Sequence, residues 1–347
     1  MIISIYEYPP VLYFCAAVAL IFGAVMGSFL NCAAWRIAHG ESFLKGRSRC
    51  PRCGHVLTPP ELVPVFSWLL QGGRCRACGE KISVRYPLTE LGFALTTLVC
   101  LLRFDLTALC LRNYVFLCCL FCLSLVDLEC FIIPDGCCLT AAAAWLLFIL
   151  SALILPGAAG LKAAEAGAAE NGADLLSGSL SVVLSEAVPG LAAAVLFGGG
   201  VLAVSLIMDH VLGRDSLGGG DIKLIAVTGL YLKPVGTLFA VMLACILGLL
   251  FFVVRNGLPE KDSEKNDTGE GDGGDREDIR KGQSTGSEED GADGESGGSA
   301  QSGESDGSDG DIPDKAFPFG PSIALAAAVM LLFGEPLVGW YLGLMGI

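Results

Sequence analysis

The chain has 347 residues, 53% of them hydrophobic and only 17% charged, with a mean hydropathy of +0.62. Several uninterrupted apolar stretches approach or exceed about 18 residues, the length that reads as membrane-spanning. That excludes a soluble globular class and predicts an all-α polytopic membrane protein. The formal charge of −14 does not describe the membrane part: residues 258–315 carry 19 acidic against 6 basic side chains, and the remainder is nearly balanced at 17 against 16.

In chain order, the first span is expected over residues 11–35. Residues 1–10 contain no basic side chain and the run behind them is long enough to span, so no cleaved signal is expected. The loop 36–86 holds nine Lys/Arg, from Arg36 to Arg85. The positive-inside rule therefore puts it in the cytoplasm and the N-terminus outside. Further spans are read over 88–102, 106–126 and 137–155, with Glu90 near the cytoplasmic end of the first and Arg112 and Asn113 near the outer end of the second. The Ala/Gly-rich stretch 156–186 would be external. Spans at 188–208, 222–232 and 235–254 follow; the middle one is short and stops at Pro234. The last, 319–345, is interrupted at Gly334-Glu335-Pro336. About eight transmembrane helices result, and no internal repeat is evident. Four parts are expected: 1–86, a helix plus the basic loop; 87–257, a membrane core; 258–315, a cytoplasmic insertion too polar to offset chain entropy and so expected to be disordered; and 316–347, the last helix of the core.

Fifteen cysteines are present. Cys50-Pro-Arg-Cys53 and Cys75-Arg-Ala-Cys78 form two C-x-x-C knuckles in the basic loop, a donor set that matches tetrahedral Zn2+. Four thiolates close the coordination shell, so such a zinc would be structural. Two disulfides or free thiols are the competing reading, disfavoured in a reducing cytoplasm. His55 is a spare ligand for which four cysteines leave no vacancy. The other eleven cysteines lie in or beside apolar runs, where cysteine behaves as a small hydrophobe.

Two carboxylates stand at the mouths of apolar runs, Asp127 and Asp221, and alternation of the spans puts both on the cytoplasmic face. A carboxylate is costly there unless it has a role. Two that lie close share a proton, one activating water while the other donates to a scissile carbonyl. The competing reading is a pair of interfacial carboxylates, with Asp221 as the N-cap of the helix it precedes. Asp135 reads as a cap, and Glu129, Asp209 and Asp215 as solvated or supporting. Lys223 either pairs with an acidic group or snorkels.

Several stretches, in one order, resemble the prepilin peptidases, also called type IV leader peptidases. They are Gly27-Ser-Phe-Leu-Asn31 with Arg36; the paired knuckles; Ser67-Trp68-Leu69; Gly73-Arg74-Cys75-Arg76; and Ile82-Ser-Val-Arg-Tyr-Pro-Leu-Thr-Glu90. Asp127-Leu-Glu-Cys-Phe-Ile-Ile-Pro-Asp135, Gly218-Gly-Gly-Asp-Ile-Lys223 and Phe317-Pro-Phe-Gly-Pro321 follow. The resemblance implies an aspartyl endopeptidase with Asp127 and Asp221 as catalytic pair. It also implies prepilin or pseudopilin substrates, and methylation of the new N-terminus with S-adenosylmethionine by the N-terminal part, where Gly27, Asn31 and Glu90 are the positions to watch. Cys130 and Leu217 depart from the family's usual histidine and methionine. The lipid bilayer is the expected surrounding, the cytoplasmic membrane the expected location, and no nucleic-acid partner is expected. A transporter with a structural zinc loop is the rival from another class, since broken helices and intramembrane carboxylates also suit a coupling site.

Overall fold

The computed structural model describes residues 5–42, 46–50, 52–154, 184–213, 218–256 and 319–345. The acidic insertion expected at 258–315, and most of the external stretch expected at 156–186, lie outside these residues. Among the described residues seven helices are long and apolar enough to cross a membrane. We number the helices α1 (Pro9–Ala38), α2 (a short one, Phe66–Leu70), α3 (Arg85–Phe104), α4 (Ala108–Cys130), α5 (Asp135–Ile154), α6 (Leu184–Leu212), α7 (Gly219–Asn256) and α8 (Gly320–Met345). The described residues contain isolated β-bridges but no strand.

Helix α4 is the axis of the bundle. Its Phe116, Leu120 and Leu123 are buried together with Trp145 and Phe148 of α5, Leu224 and Tyr231 of α7, and Ile323 of α8. The rings of Phe116 and Tyr231 stack 3.9 Å apart. Helix α1 lies at the periphery, packed on α3 and α4, and most of its large apolar side chains face outward, as suits lipid contact. Two helix starts show their local chemistry. Pro9 and Pro10 open α1, where the missing N–H costs nothing. The Thr107 hydroxyl caps α4 by accepting from the Cys110 N–H at 3.1 Å.

Helix α7 is two helices joined at a break. Lys233 has φ 59° and ψ 177°, a backbone region nearly reserved for glycine. Pro234 follows, removing an N–H and disfavouring helical geometry at residue 233. A straight helix would put Gly220 and Gly248 about 42 Å apart at 1.5 Å per residue. Instead, a Cβ at Gly220 would lie 2.8 Å from Ile133, one at Gly248 would lie 2.8 Å from the Phe319 ring, and one at Gly320 would lie 3.3 Å from that same Ile133. Both ends of α7 therefore meet the start of α8, and the chain doubles back at Lys233. The spans expected at 222–232 and 235–254 are its two arms; counted separately they give the eight expected. The interruption expected in the last span is milder: α8 runs on through Pro336.

The break is held by a polar cluster. Lys233 Nζ donates to Glu186 at 2.7 Å, and Glu186 also pairs with Arg112 at 3.4 Å. The Arg112 guanidinium, 5% exposed, lies over the rings of Phe148 and Tyr231 at 4.7 and 5.1 Å and donates twice to Asn113 Oδ1. This joins α4, α6 and α7 at the end of the bundle away from Asp127.

Candidate active site and metal centre

Asp127 sits in the last turn of α4, where the helix dipole disfavours a carboxylate. It is 4% exposed, and its Oδ2 is buried without a hydrogen-bond partner. The N-terminus of α8 presses against it: a Cβ at Gly320 would lie 2.6 Å from Oδ2. Asp221 approaches from α7, half-buried in its first turn, and feels the charge of Asp127. Ile133, in the connection from α4 to α5, wedges between Gly220 and Gly320. Gly220, next to Asp221, and Gly320, against Asp127, both abut Ile133, so the two aspartates stand at the same end of the bundle. Asp221 lies within the first turn rather than ahead of it, with its N–H bonded to the Gly218 carbonyl at 3.1 Å, so the N-cap reading does not describe it.

The other acidic positions divide as follows. Asp135 opens α5 and accepts from Lys223 Nζ at 2.7 Å, both side chains more than half exposed. Lys223 thus pairs with a carboxylate of the other motif. Glu129 pairs with Arg85 at 3.0 Å, tying the end of α4 to the start of α3. Asp209 is one helical turn from Ser205, whose hydroxyl donates to it. Asp215 and Leu217 lie outside the described residues.

The four cysteines of the loop also come together. Their Sγ atoms all lie within 4.8 Å of one another, with Cys50 and Cys78 4.0 Å apart. A tetrahedral site with bonds of about 2.3 Å has sulfur–sulfur edges of about 3.8 Å, so the cluster could hold a metal ion. The two knuckles share one backbone pattern. Cys50 and Cys75 each accept from the glycine N–H four residues on, and each donates to the carbonyl of the residue after that glycine, all at 2.9 Å. Gly54 and Gly79 have φ of +72° and +71°. This small repeat, Cys-x-x-Cys-Gly, is present in the sequence and is missed by a search for long repeats. N–H groups of Cys53 and Arg52 bring the Cys50 thiol down to about 7. At Cys78 an N–H from Glu80 works the same way, but desolvation and the neighbouring thiols outweigh it and push the group up to about 12. A bound cation would remove that mutual repulsion.

His55 is not a ligand. It faces Glu61 at 3.4 Å, and Glu61 also accepts from the N–H and hydroxyl of Thr58, whose donation holds its carboxyl down to about 2. The Trp68 indole closes the loop by donating to the Ile82 carbonyl at 3.1 Å.

Gly27, Asn31 and Glu90 converge where α1 crosses α3. A Cβ at Gly27 would lie 3.1 Å from the Glu90 Cα. The Asn31 amide donates to the Gly27 carbonyl and to the Thr89 hydroxyl, and Glu90 accepts from the Val65 N–H at 2.8 Å. The Asn31 Nδ2 and one Glu90 oxygen are thus engaged within the protein.

Two family models match the chain: the bacterial peptidase A24 N-terminal domain over residues 21–104, and the type IV leader peptidase family over residues 114–253. A prepilin leader peptidase/N-methyltransferase of Myxococcus xanthus is 33% identical over 74% of this chain and 69% of its own length. One of Bacillus subtilis is 32% identical over 68% of this chain and 81% of its own. An Escherichia coli type 4 prepilin-like proteins leader peptide-processing enzyme is 29% identical over 72% and 87%. No solved structure matches. With the second model spanning both Asp127 and Asp221 and two relatives above 30% identity covered over more than two thirds of their length, the chain belongs to the type IV leader peptidase family.

Proposed function

We propose that the protein is a membrane aspartyl endopeptidase. It removes the leader of type IV prepilins or pseudopilins at the cytoplasmic membrane face and N-methylates the new terminus. Asp127 and Asp221 are its catalytic pair. The observation that carries this assignment is the buried Asp127 carboxyl, which has the Gly320 N–H against it but whose Oδ2 has no hydrogen-bond partner, at the end of the bundle that also holds Asp221. A buried acceptor without a donor is expensive, and a substrate or water that supplies the donor removes the cost. The relatives' names carry the substrate class and the second activity. They give the transporter reading no support.

In this mechanism the pair holds one proton, because two adjacent carboxylates resist ionising together. The ionised member takes a proton from water as its oxygen attacks the scissile carbonyl. The other donates to the carbonyl oxygen. Collapse of the tetrahedral intermediate breaks the C–N bond, and the proton first taken passes to the leaving amine. Which aspartate acts first belongs to the coupled pair. A prepilin meets this chemistry at the interface between its apolar helix and its basic leader, with the Arg36–Arg85 loop on the same, cytoplasmic side.

Cys50, Cys53, Cys75 and Cys78 would hold Zn2+ with a closed shell, cross-linking the loop and taking no part in hydrolysis. S-adenosylmethionine is the methyl donor implied by the relatives' second name. Gly27, Asn31 and Glu90 fit a place in that reaction where α1 crosses α3, with the Asn31 amide and one Glu90 oxygen already holding the two helices and the loop together. The division into 1–86 for methylation and 87–257 with 316–347 for hydrolysis follows the same reading.

The test is cleavage of a prepilin with an intact leader by purified protein in detergent, alongside Asp127→Asn and Asp221→Asn. Both variants should be folded and inactive. Near wild-type cleavage by either would remove that residue from the pair and direct attention to Asp135 or Glu129.

A further inference from the structure

Among the cysteines that no metal reading uses, two pairs lie at opposite ends of α4. At one end, Cys100 of α3 and Cys110 of α4 bring their Sγ atoms to 4.0 Å, and each sulfur also touches the other's backbone carbonyl, at 3.9 and 3.8 Å. Cys100 is 1% exposed, under Leu117 and Leu332; Cys110 is half-buried. The turn that joins the two helices carries Arg103 and Asp105, which mark the polar boundary about one turn beyond the sulfurs. At the other end, Cys122 of α4 and Cys137 of α5 pack in one buried cluster, close in sequence to Asp127 and Asp135. The orientation proposed above puts the first pair at the external face and the second at the cytoplasmic face.

We propose that Cys100 and Cys110 close a disulfide that staples the outer ends of α3 and α4, while Cys122 and Cys137 remain thiols. This rests on the orientation proposed above: cysteine pairs are oxidised outside the cytoplasm and kept reduced within it. The oxidant is an external disulfide, carried by a protein or a small thiol. The more accessible Cys110 thiolate attacks one of its sulfurs, the oxidant's S–S bond breaks, and one half leaves as a thiolate. The Cys100 thiolate then attacks the Cys110 sulfur of the mixed disulfide and expels the other half. Two protein thiols are oxidised, and one external disulfide is reduced to two thiols. The staple sits at the junction of the two family matches, residues 21–104 and 114–253. It fixes the helix that presents Glu90 against the helix that presents Asp127.

The experiment uses full-length protein expressed in bacterial cells. Free thiols are blocked with N-ethylmaleimide before membranes are solubilised, and non-reduced peptides are read by mass spectrometry. The expected result is a linked Cys100–Cys110 peptide, lighter than the two thiols by two hydrogens, with Cys122 and Cys137 alkylated. In parallel, Leu106→Cys, in the exposed α3–α4 turn, is labelled in intact cells with a membrane-impermeant maleimide. If Cys100 and Cys110 are alkylated while Leu106→Cys labels from outside, the orientation stands and the disulfide is wrong. If they are alkylated and Leu106→Cys does not label, the orientation and the disulfide both fall.

Discussion

The most direct test of the site's geometry is Gly320→Ala, which leaves both aspartates in place. The added methyl would lie 2.6 Å from Asp127 Oδ2, 3.1 Å from its Cγ and 3.3 Å from Ile133 Cδ1. Carbon and oxygen do not approach that closely, so Asp127 or the start of α8 must shift by more than half an ångström, roughly the excess over a van der Waals contact. The neighbour on one side is the short, buried Asp127 and on the other a wedged isoleucine, so little can yield. Overpacking of this kind costs about 1–3 kcal/mol of stability, and displacement of a reacting group by about 1 Å costs roughly 100-fold in rate. Gly320→Ala should therefore fold, with a modestly lower Tm, and lose about 100-fold in kcat for leader cleavage. Gly334→Ala in the same helix is the control: its methyl would meet only the flexible tip of Met330, at 3.2 Å, and activity should stay near wild type. Cleavage by Gly320→Ala within a few-fold of wild type would refute the packing of α8 against Asp127.

Three further outcomes follow from other parts of the molecule. Glu186→Gln leaves the buried Arg112 without its counter-charge and should cost about 3 kcal/mol, whereas Glu335→Gln, which releases only the exposed partner Arg103, should cost under about 1 kcal/mol; thermal unfolding that ranks them the other way would mean the cluster does not hold the α7 break. Stripping the metal with a strong chelator, or Cys75→Ser, should abolish bound metal and expose the loop to protease while leader cleavage falls less than about tenfold, because a closed thiolate shell gives hydrolysis nothing; loss of all cleavage with an unchanged protease pattern would put the metal in the chemistry. Glu61 is held at about 2 in the folded loop against an ordinary 4.5, so the stability it adds is complete above about pH 4.5 and disappears as the pH falls toward 2. The Tm gap between wild type and Glu61→Gln should close over that interval, and a gap that widens on acidification would contradict the Thr58–Glu61 bonding.

Much of this was legible in the sequence because membranes make certain residues conspicuous. A carboxylate at the mouth of an apolar run is rare enough to single out Asp127 and Asp221, and alternation of the spans predicts both on one face. The C-x-x-C spacing is equally direct, since two knuckles can present four sulfurs to one ion. Less legible was anything that depends on which helix faces which. Arg112 reads as a charge near the outer end of a span and Glu186 as the end of an external stretch, 74 residues apart, yet they form a buried pair. Gly320 belongs to a recognised motif, but its sequence neighbours do not reveal that it is the wall of the Asp127 site.

Lys223 shows why the remainder was not readable. From sequence it could equally pair with a carboxylate or rest at a helix end, because both outcomes need only a cation near an interface. Its bond to Asp135 joins residues from the two aspartate motifs, and an exposed pair of this kind contributes little to stability. What it can contribute is register. The first turn of α7 carries both Asp221 and Lys223, and the first turn of α5 carries Asp135 just after Ile133. A tether at Lys223 therefore constrains the rotation of the turn that aims Asp221, while the Ile133 wedge constrains its distance from α8. Position at this site is set by one weak bond and two close backbone approaches, at Gly220 and Gly320, none of which leaves a signature in hydrophobic periodicity.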